Sequence, residues 1–170
     1  MSRLDEARRE KDAFFRESHH SPLLPEQQTT FTGLNYFPEN PALRLEVEVE
    51  RFSEQEPIQI QTNTGDVQAY TRYGRFKFAV DGDEAELTIL ENENGYFLPF
   101  ADSLAGTETY GAGRYIEPSR LADGRFQVDF NEAYNPYCAY NEKWSCPITP
   151  PENRLKVPVR AGEKVFDVKE

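Results

Sequence analysis

Leu43-Arg44-Leu45-Glu46-Val47-Glu48-Val49-Glu50 decides the fold class. Four aliphatic side chains alternate with charged ones, the period of an extended chain whose successive side chains point to opposite faces. The run reads as a β-strand with one buried face and one face lined by carboxylates. The same period returns downstream in Ile58/Ile60, Val67 to Tyr73, Phe76/Phe78/Val80, Leu87/Ile89, Tyr96/Leu98/Phe100 and Arg114 to Glu117. It continues in Phe126/Val128/Phe130, Leu155/Val157/Val159 and Val165/Val168. Thr64-Gly65-Asp66, Tyr73-Gly74, Asp81-Gly82-Asp83 and Asn92-Glu93-Asn94-Gly95 punctuate the series as successive hairpin signals.

About eight to ten strands on short connections, with no helices interleaved, predict a mainly β protein built as an antiparallel β-barrel or β-sandwich. A closed barrel removes exposed strand edges, and its mouth is a usual place for a ligand. Upstream, residues 2–18 read as an α-helix capped by Ser2 or Asp5, its narrow apolar stripe anchored by Phe14 and Phe15, so it is expected to pack on the outside. Pro22 and Pro25 end it, and residues 26–30 read as a short turn of helix. The 170 residues form one domain, with the helix in 1–20 and the β unit in 31–170.

The formal net charge is −11, and the excess is local: residues 1–56 hold 12 acids and 7 bases, 57–110 hold 9 and 3, and 111–170 hold 9 of each. With 13% aromatic residues the chain has material for a core despite a mean hydropathy of −0.75. Acidic excess is read as a solvated exterior or as salt adaptation, and it argues against nucleic acid as a partner, since phosphate contacts need a basic surface. The charged N-terminus lacks the apolar stretch of a secretory signal, and no run of about 18 apolar residues occurs. The expectation is a cytoplasmic protein without a membrane partner, with Cys138 and Cys146 as free thiols.

Several chemistries are weakened. The two histidines, His19 and His20, are adjacent, and adjacent side chains diverge, so neither a three-histidine zinc site nor a Ser-His-Asp relay is expected. Gly111-Ala112-Gly113-Arg114 is too short for a phosphate loop, and no metal site is assigned.

What remains is a polar, aromatic, cysteine-bearing band over 100–114 and 129–154. Between Phe130 and Leu155 about two dozen residues show no period, and loops of that length inside a compact domain are functional or are ordered packing segments. One reading makes Asp102, Glu108 and Cys138 candidates for acid, base or nucleophile, Arg114 an anion clamp, and Tyr110, Asn131, Asn135, Tyr137 and Asn153 ligand-orienting donors around a small polar molecule. The other makes the same groups satisfy one another in a structural or protein-interaction domain. A smaller possibility is redox or metal chemistry at Cys138 and Cys146.

Phe31-Thr32-Gly33-Leu34-Asn35-Tyr36-Phe37-Pro38, Asp129-Phe130-Asn131-Glu132-Ala133-Tyr134-Asn135-Pro136-Tyr137-Cys138-Ala139-Tyr140 and Cys146-Pro147-Ile148-Thr149-Pro150-Pro151-Glu152-Asn153-Arg154-Leu155 resemble the bacterial and archaeal family called domain of unknown function 1684. Thr107 to Tyr115 and Val159 to Lys164 extend the resemblance over nearly the whole chain. It implies a single, mainly β domain and carries no catalytic residue, cofactor or oligomeric state.

Overall fold

The computed structural model describes residues 2–141 and 143–166. Helix α1, Arg3–Glu17, opens on a capping box in which Ser2 and Asp5 satisfy each other's backbone N–H groups. Phe15 is its one buried side chain, packed among Leu23, Leu34 and Tyr140, whereas the expected second anchor, Phe14, is 39% exposed. Helix α2, Pro25–Thr30, occupies the expected short turn. The His19 and His20 rings do not diverge but lie 4.1 Å apart on the surface.

Nine strands follow among the described residues: β1 Arg44–Val47, β2 Glu50–Arg51, β3 Pro57–Gln61, β4 Val67–Val80, β5 Asp83–Asn92, β6 Gly95–Phe100, β7 Arg114–Ile116, β8 Ser119–Arg120 and β9 Phe126–Asp129. All pairings between them are antiparallel. One sheet runs β1-β9-β8 and the other β2-β4-β5-β6-β7, with β3 also on β4. Among the described residues the ladders do not close into a barrel.

The stretch 43–50 is where the two sheets meet. Arg44–Val47 pairs with β9, and two residues later Glu50–Arg51 pairs with β4, so one alternating run serves both sheets. Leu45, Val47 and Val49 stay against the core throughout, which is why the period survives the change of partner. The Tyr73-Gly74 signal, expected to separate two strands, instead marks a register shift between Arg72 and Gly74 inside one 14-residue strand. A Cβ on Gly74 would lie 2.7 Å from the Glu50 carbonyl oxygen, so glycine there admits β2. Between β4 and β5, Asp81 and Gly82 both take positive φ, the two-residue hairpin that the sequence predicts.

The main core lies between the sheets and gathers Phe76, Phe78, Leu87, Ile89, Leu98 and Phe100 from one and Phe126 and Val128 from the other, with Val157, Val159 and Ala161 added. The predicted strand over 155–159 is absent: these residues alternate in and out as a strand does, but join no ladder. Of the last predicted strand, Val165 lies in an extended segment whose N–H donates to Glu108, and Val168 lies outside the described residues. The other face of the larger sheet carries Tyr70, Leu90 and Phe97, covered in part by the aperiodic segment 131–154.

Candidate functional site

The predicted site residues fall into two places, one sealed and one open. In the sealed one, Arg114 on β7 is 1% exposed. Its guanidinium donates to the carbonyls of Val159 (3.0 Å), Ala161 (2.5 Å) and Glu163 (3.0 Å). The segment bends at Gly162, whose φ is positive, and one planar fork reaches all three carbonyls. Asp102 closes the other side, accepting the Val159 N–H at 2.7 Å and the Thr109 hydroxyl at 2.7 Å, with an oxygen 3.9 Å from Arg114 Nη2. Burial holds the guanidinium down to about 10, against the pull of Asp102 and Glu163, so it stays charged at neutral pH. Gly113, at positive φ, admits Thr149 and the Phe100 carbonyl: a Cβ there would lie 2.6 Å from that carbonyl oxygen.

Next to it lies Glu163, 2% exposed and not singled out by the sequence. Its carboxylate is bonded by Lys11 of α1, the Tyr140 hydroxyl and the Asn135 backbone N–H. Asn135 Nδ2 donates to the Lys164 carbonyl at 3.0 Å. Burial beside that carboxylate pushes the Tyr140 phenol well up. Glu108 stands apart at the surface, its carboxylate 4.0 Å from Arg160.

Two asparagines act alike. Asn153 accepts the Thr88 N–H and donates to the Thr88 carbonyl, both at 2.8 Å, and also donates to the Pro99 carbonyl at 2.8 Å. The β5–β6 register pairs Leu90 with Phe97, which sets Thr88 opposite Pro99. Proline has no N–H to give, and the Asn153 amide supplies the missing donor. Asn131 likewise accepts the Asn40 N–H at 2.8 Å and returns a bond to its carbonyl at 2.9 Å.

The open place is a cleft of about 830 Å³. Its floor is the outer face of β4, β6 and β7, where Tyr70 stacks on Phe97 at 5.3 Å and Phe97 meets Tyr115 edge-on at 4.8 Å. Its far wall is the 134–147 segment, where Tyr137 packs edge-on against Trp144 at 5.1 Å. Glu117, Arg120, Gln68, Asn92 and Asn94 are among its polar lining groups. The Tyr134 hydroxyl donates to Glu117 at 2.5 Å, and Tyr115 donates to the Pro147 carbonyl at 2.5 Å, which ties the wall to the floor.

Cys146 also lines this cleft, and Cys138 lies beside it; both thiols are free and buried. The Cys138 N–H donates to Cys146 Sγ at 3.3 Å, and the Tyr110 hydroxyl lies 3.6 Å from Cys138 Sγ. Hydrogen bonding with the Cys146 thiol and the Tyr110 hydroxyl pulls Cys138 down, while the same interaction with Cys138, and then burial, push the Cys146 thiol up.

Of the predicted residues, then, Tyr137 lines the cleft, and Tyr110 and Cys138 lie behind its cysteine wall. Asp102 and Arg114 form one buried unit and Asn135 adjoins it, while Asn131 and Asn153 clasp backbone elsewhere. The expected pocket segment 100–114 does not line the cleft; 68–70, 92–97 and 115–120 do. Phe97 and Tyr115 are out of phase with the core set, a signal that marks the second face of a sheet, whereas Tyr70 shares the parity of Phe76 and Phe78 and reaches that face only through the register shift between Arg72 and Gly74. Among the described residues no cluster of three or more metal-ligating side chains forms, and no helix is long and apolar enough to cross a membrane.

A family model described as "Protein of unknown function (DUF1684)" matches residues 29–164, beginning within α2 and leaving α1 outside. No curated protein matches the chain. Among solved structures, the solution NMR structure of an uncharacterized protein from gene locus rrnAC0354 of Haloarcula marismortui is similar, with 37% identity and a TM-score of 0.69. The match covers 95% of this chain and 91% of that one.

Proposed function

The chain belongs to the DUF1684 family of proteins of unknown function, and from that premise we propose that it binds a small molecule with a flat apolar part and polar substituents in the aromatic cleft. The observation that carries this reading is the cleft itself: about 830 Å³, aromatic on floor and wall, with amide, carboxylate and guanidinium groups at its margins. Ligand sites are commonly concave, of roughly 300–1,000 Å³, largely apolar and set with a few polar groups. Rings already fixed by stacking offer contact area at little entropic cost. The site so read is centred on Tyr115, Tyr137 and Trp144, with Glu117 and Arg120 as orienting groups. A net charge of −11 argues against a nucleic acid as the ligand.

Trp144 is the chain's single tryptophan, so intrinsic fluorescence reports on the cleft wall. A screen of small polar aromatics and heterocycles should give saturable changes in Trp144 emission and amide shifts at 95–97, 115–120 and 134–147, weakened by Tyr137→Ala. If no compound gives saturable shifts there, the binding reading fails.

A second reading has its own observation. Asp102, Arg114, Asn131 and Asn153 are bonded beneath the surface to backbone and to one another, as a structural or protein-interaction domain without catalysis would have them. On that reading these residues govern stability alone.

A further inference from the structure

Cys138 and Cys146 are eight residues apart, and the loop between them is held at both ends. The 3-10 turn Tyr137–Ala139 carries Cys138, and Cys146 is fixed by the Asn63 side chain, which accepts its N–H at 2.8 Å. These anchors set the Cys138 N–H on the Cys146 sulfur at 3.3 Å, which brings the two cysteines together. The Tyr110 hydroxyl lies 3.6 Å from Cys138 Sγ, and Cys146 lines the cleft. With relative exposures of 8% and 7%, the pair is closed to large reagents; Cys146 borders the cleft, and Cys138 adjoins it through its N–H.

We propose that Cys138 and Cys146 form a reversible dithiol–disulfide couple that exchanges with low-molecular-mass disulfides admitted through the aromatic cleft, Cys138 attacking and Cys146 resolving. The thiolate is the nucleophile in such exchange, and hydrogen bonds to sulfur favour it. The Cys146 thiol and Tyr110 hydroxyl supply those bonds to Cys138, which holds its thiol below the usual range. In the first step Cys138 Sγ attacks one sulfur of the incoming disulfide, forming a mixed disulfide and breaking the reagent's S–S bond, and a thiolate leaves. In the second, Cys146 gives its proton to that departing thiolate and attacks Cys138 Sγ. The intramolecular disulfide forms, the mixed disulfide breaks, and a second small thiolate leaves and is protonated by solvent. Two electrons pass from the protein dithiol to the reagent, which departs as two thiols. Excess small thiol drives the same steps backward. The loop 139–145 contains both Tyr140 and Trp144, so the couple bears directly on the cleft wall.

The test uses the whole chain, reduced, freed of reductant and incubated folded with oxidised glutathione, then analysed by intact mass and peptide mapping. The expected product has lost two hydrogens, carries a Cys138–Cys146 cross-link and is restored by dithiothreitol. Cys146→Ser should accumulate one glutathione adduct on Cys138, and Cys138→Ser should be modified about tenfold more slowly. Brief alkylation of the unmutated reduced protein with iodoacetamide should label Cys138 before Cys146, a readout independent of whether either variant folds. Absence of the cross-link in folded protein, or labelling of Cys146 first, would overturn the proposal. Because none of these readouts requires a cleft ligand, a failed ligand screen and a failed exchange are separate results.

Discussion

Replacing Arg114 by lysine tests whether one guanidinium stands in for a missing strand. Lysine keeps the charge beside Asp102 but replaces a fork with a point, so the three carbonyls of Val159, Ala161 and Glu163 lose their common donor. An ammonium in that space reaches one of them, which leaves two buried acceptors unpaired at about 1–3 kcal/mol each. With relaxation of the 157–163 segment, a loss of about 3 kcal/mol is expected, a large share of the 5–15 kcal/mol typical of a domain. For a chain of this length that lowers the melting midpoint by roughly 6–12 °C. Calorimetry and urea titration of Arg114→Lys measure it, with Arg125→Lys, at an exposed arginine, expected to leave the midpoint unchanged. Arg114→Ala also strips Asp102 of its cation and is expected to cost still more, since breaking a buried pair costs about 3–5 kcal/mol before any cavity is counted. A change under about 1 kcal/mol for Arg114→Lys would refute the reasoning, because it would mean that the fork geometry contributes nothing beyond its charge.

Asn153→Ala removes three buried hydrogen bonds and leaves the Thr88 N–H without its acceptor; a loss of about 3 kcal/mol is expected, with faster hydrogen exchange at the Thr88 amide. Phe15→Ala should cost about 3–4 kcal/mol, read by urea titration, and should speed exchange in α1 before the sheets, since Phe15 is the helix's one buried side chain. Glu152 accepts two bonds of 2.9 Å from Arg72, which holds its carboxyl below the usual range. A carboxyl that binds its proton less tightly folded than unfolded contributes stability above the unfolded pKa and loses it as pH falls through the folded value. The pair is about a third exposed and screened by solvent, so Glu152→Gln should cost under about 1 kcal/mol at neutral pH. That difference should fade below about pH 4, as followed by chemical denaturation across the acid range.

Leu43 to Glu50 shows how much of the fold was legible and where legibility ends. Alternation reports that side chains face the core in turn, and it does so whether the backbone pairs with β9, with β4 or with neither strand. Hence the strand class was readable at 44–47 and 50–51, while the change of sheet between them was not. The same blindness explains 155–159, where Val157 and Val159 alternate inward from a segment in no ladder. Arg114 and Asp102 were readable as polar groups close in sequence to glycines, and the structure does bring them together. Their backbone partners lie some 45 to 57 residues away, which no local pattern announces. The cleft was hidden because its floor residues, Phe97 and Tyr115, sit on strands whose neighbouring positions, Leu98 and Ile116, carry the stronger core signal.

One requirement links the buried polar residues. Every backbone N–H and C=O taken from water needs a partner, and in a sheet the neighbouring strand supplies it. The last third of this chain has few strands, yet it runs over the core and across the outer face of the larger sheet. Side chains therefore supply the partners. Asn131 and Asn153 each exchange a reciprocal pair of bonds with one residue, Asn40 and Thr88, the pattern of a hydrogen-bonded antiparallel pair built from a carboxamide. Arg114 serves three carbonyls of one bent segment, and Asp102 accepts the Val159 N–H that precedes them. Amide, guanidinium and carboxylate groups buried in an aperiodic segment look like catalytic machinery in sequence because catalysis draws on the same donors and acceptors. Access to solvent separates the two uses: these four residues are sealed, whereas Tyr137, Trp144 and Cys146 border open space, and a ligand or reagent can be met there.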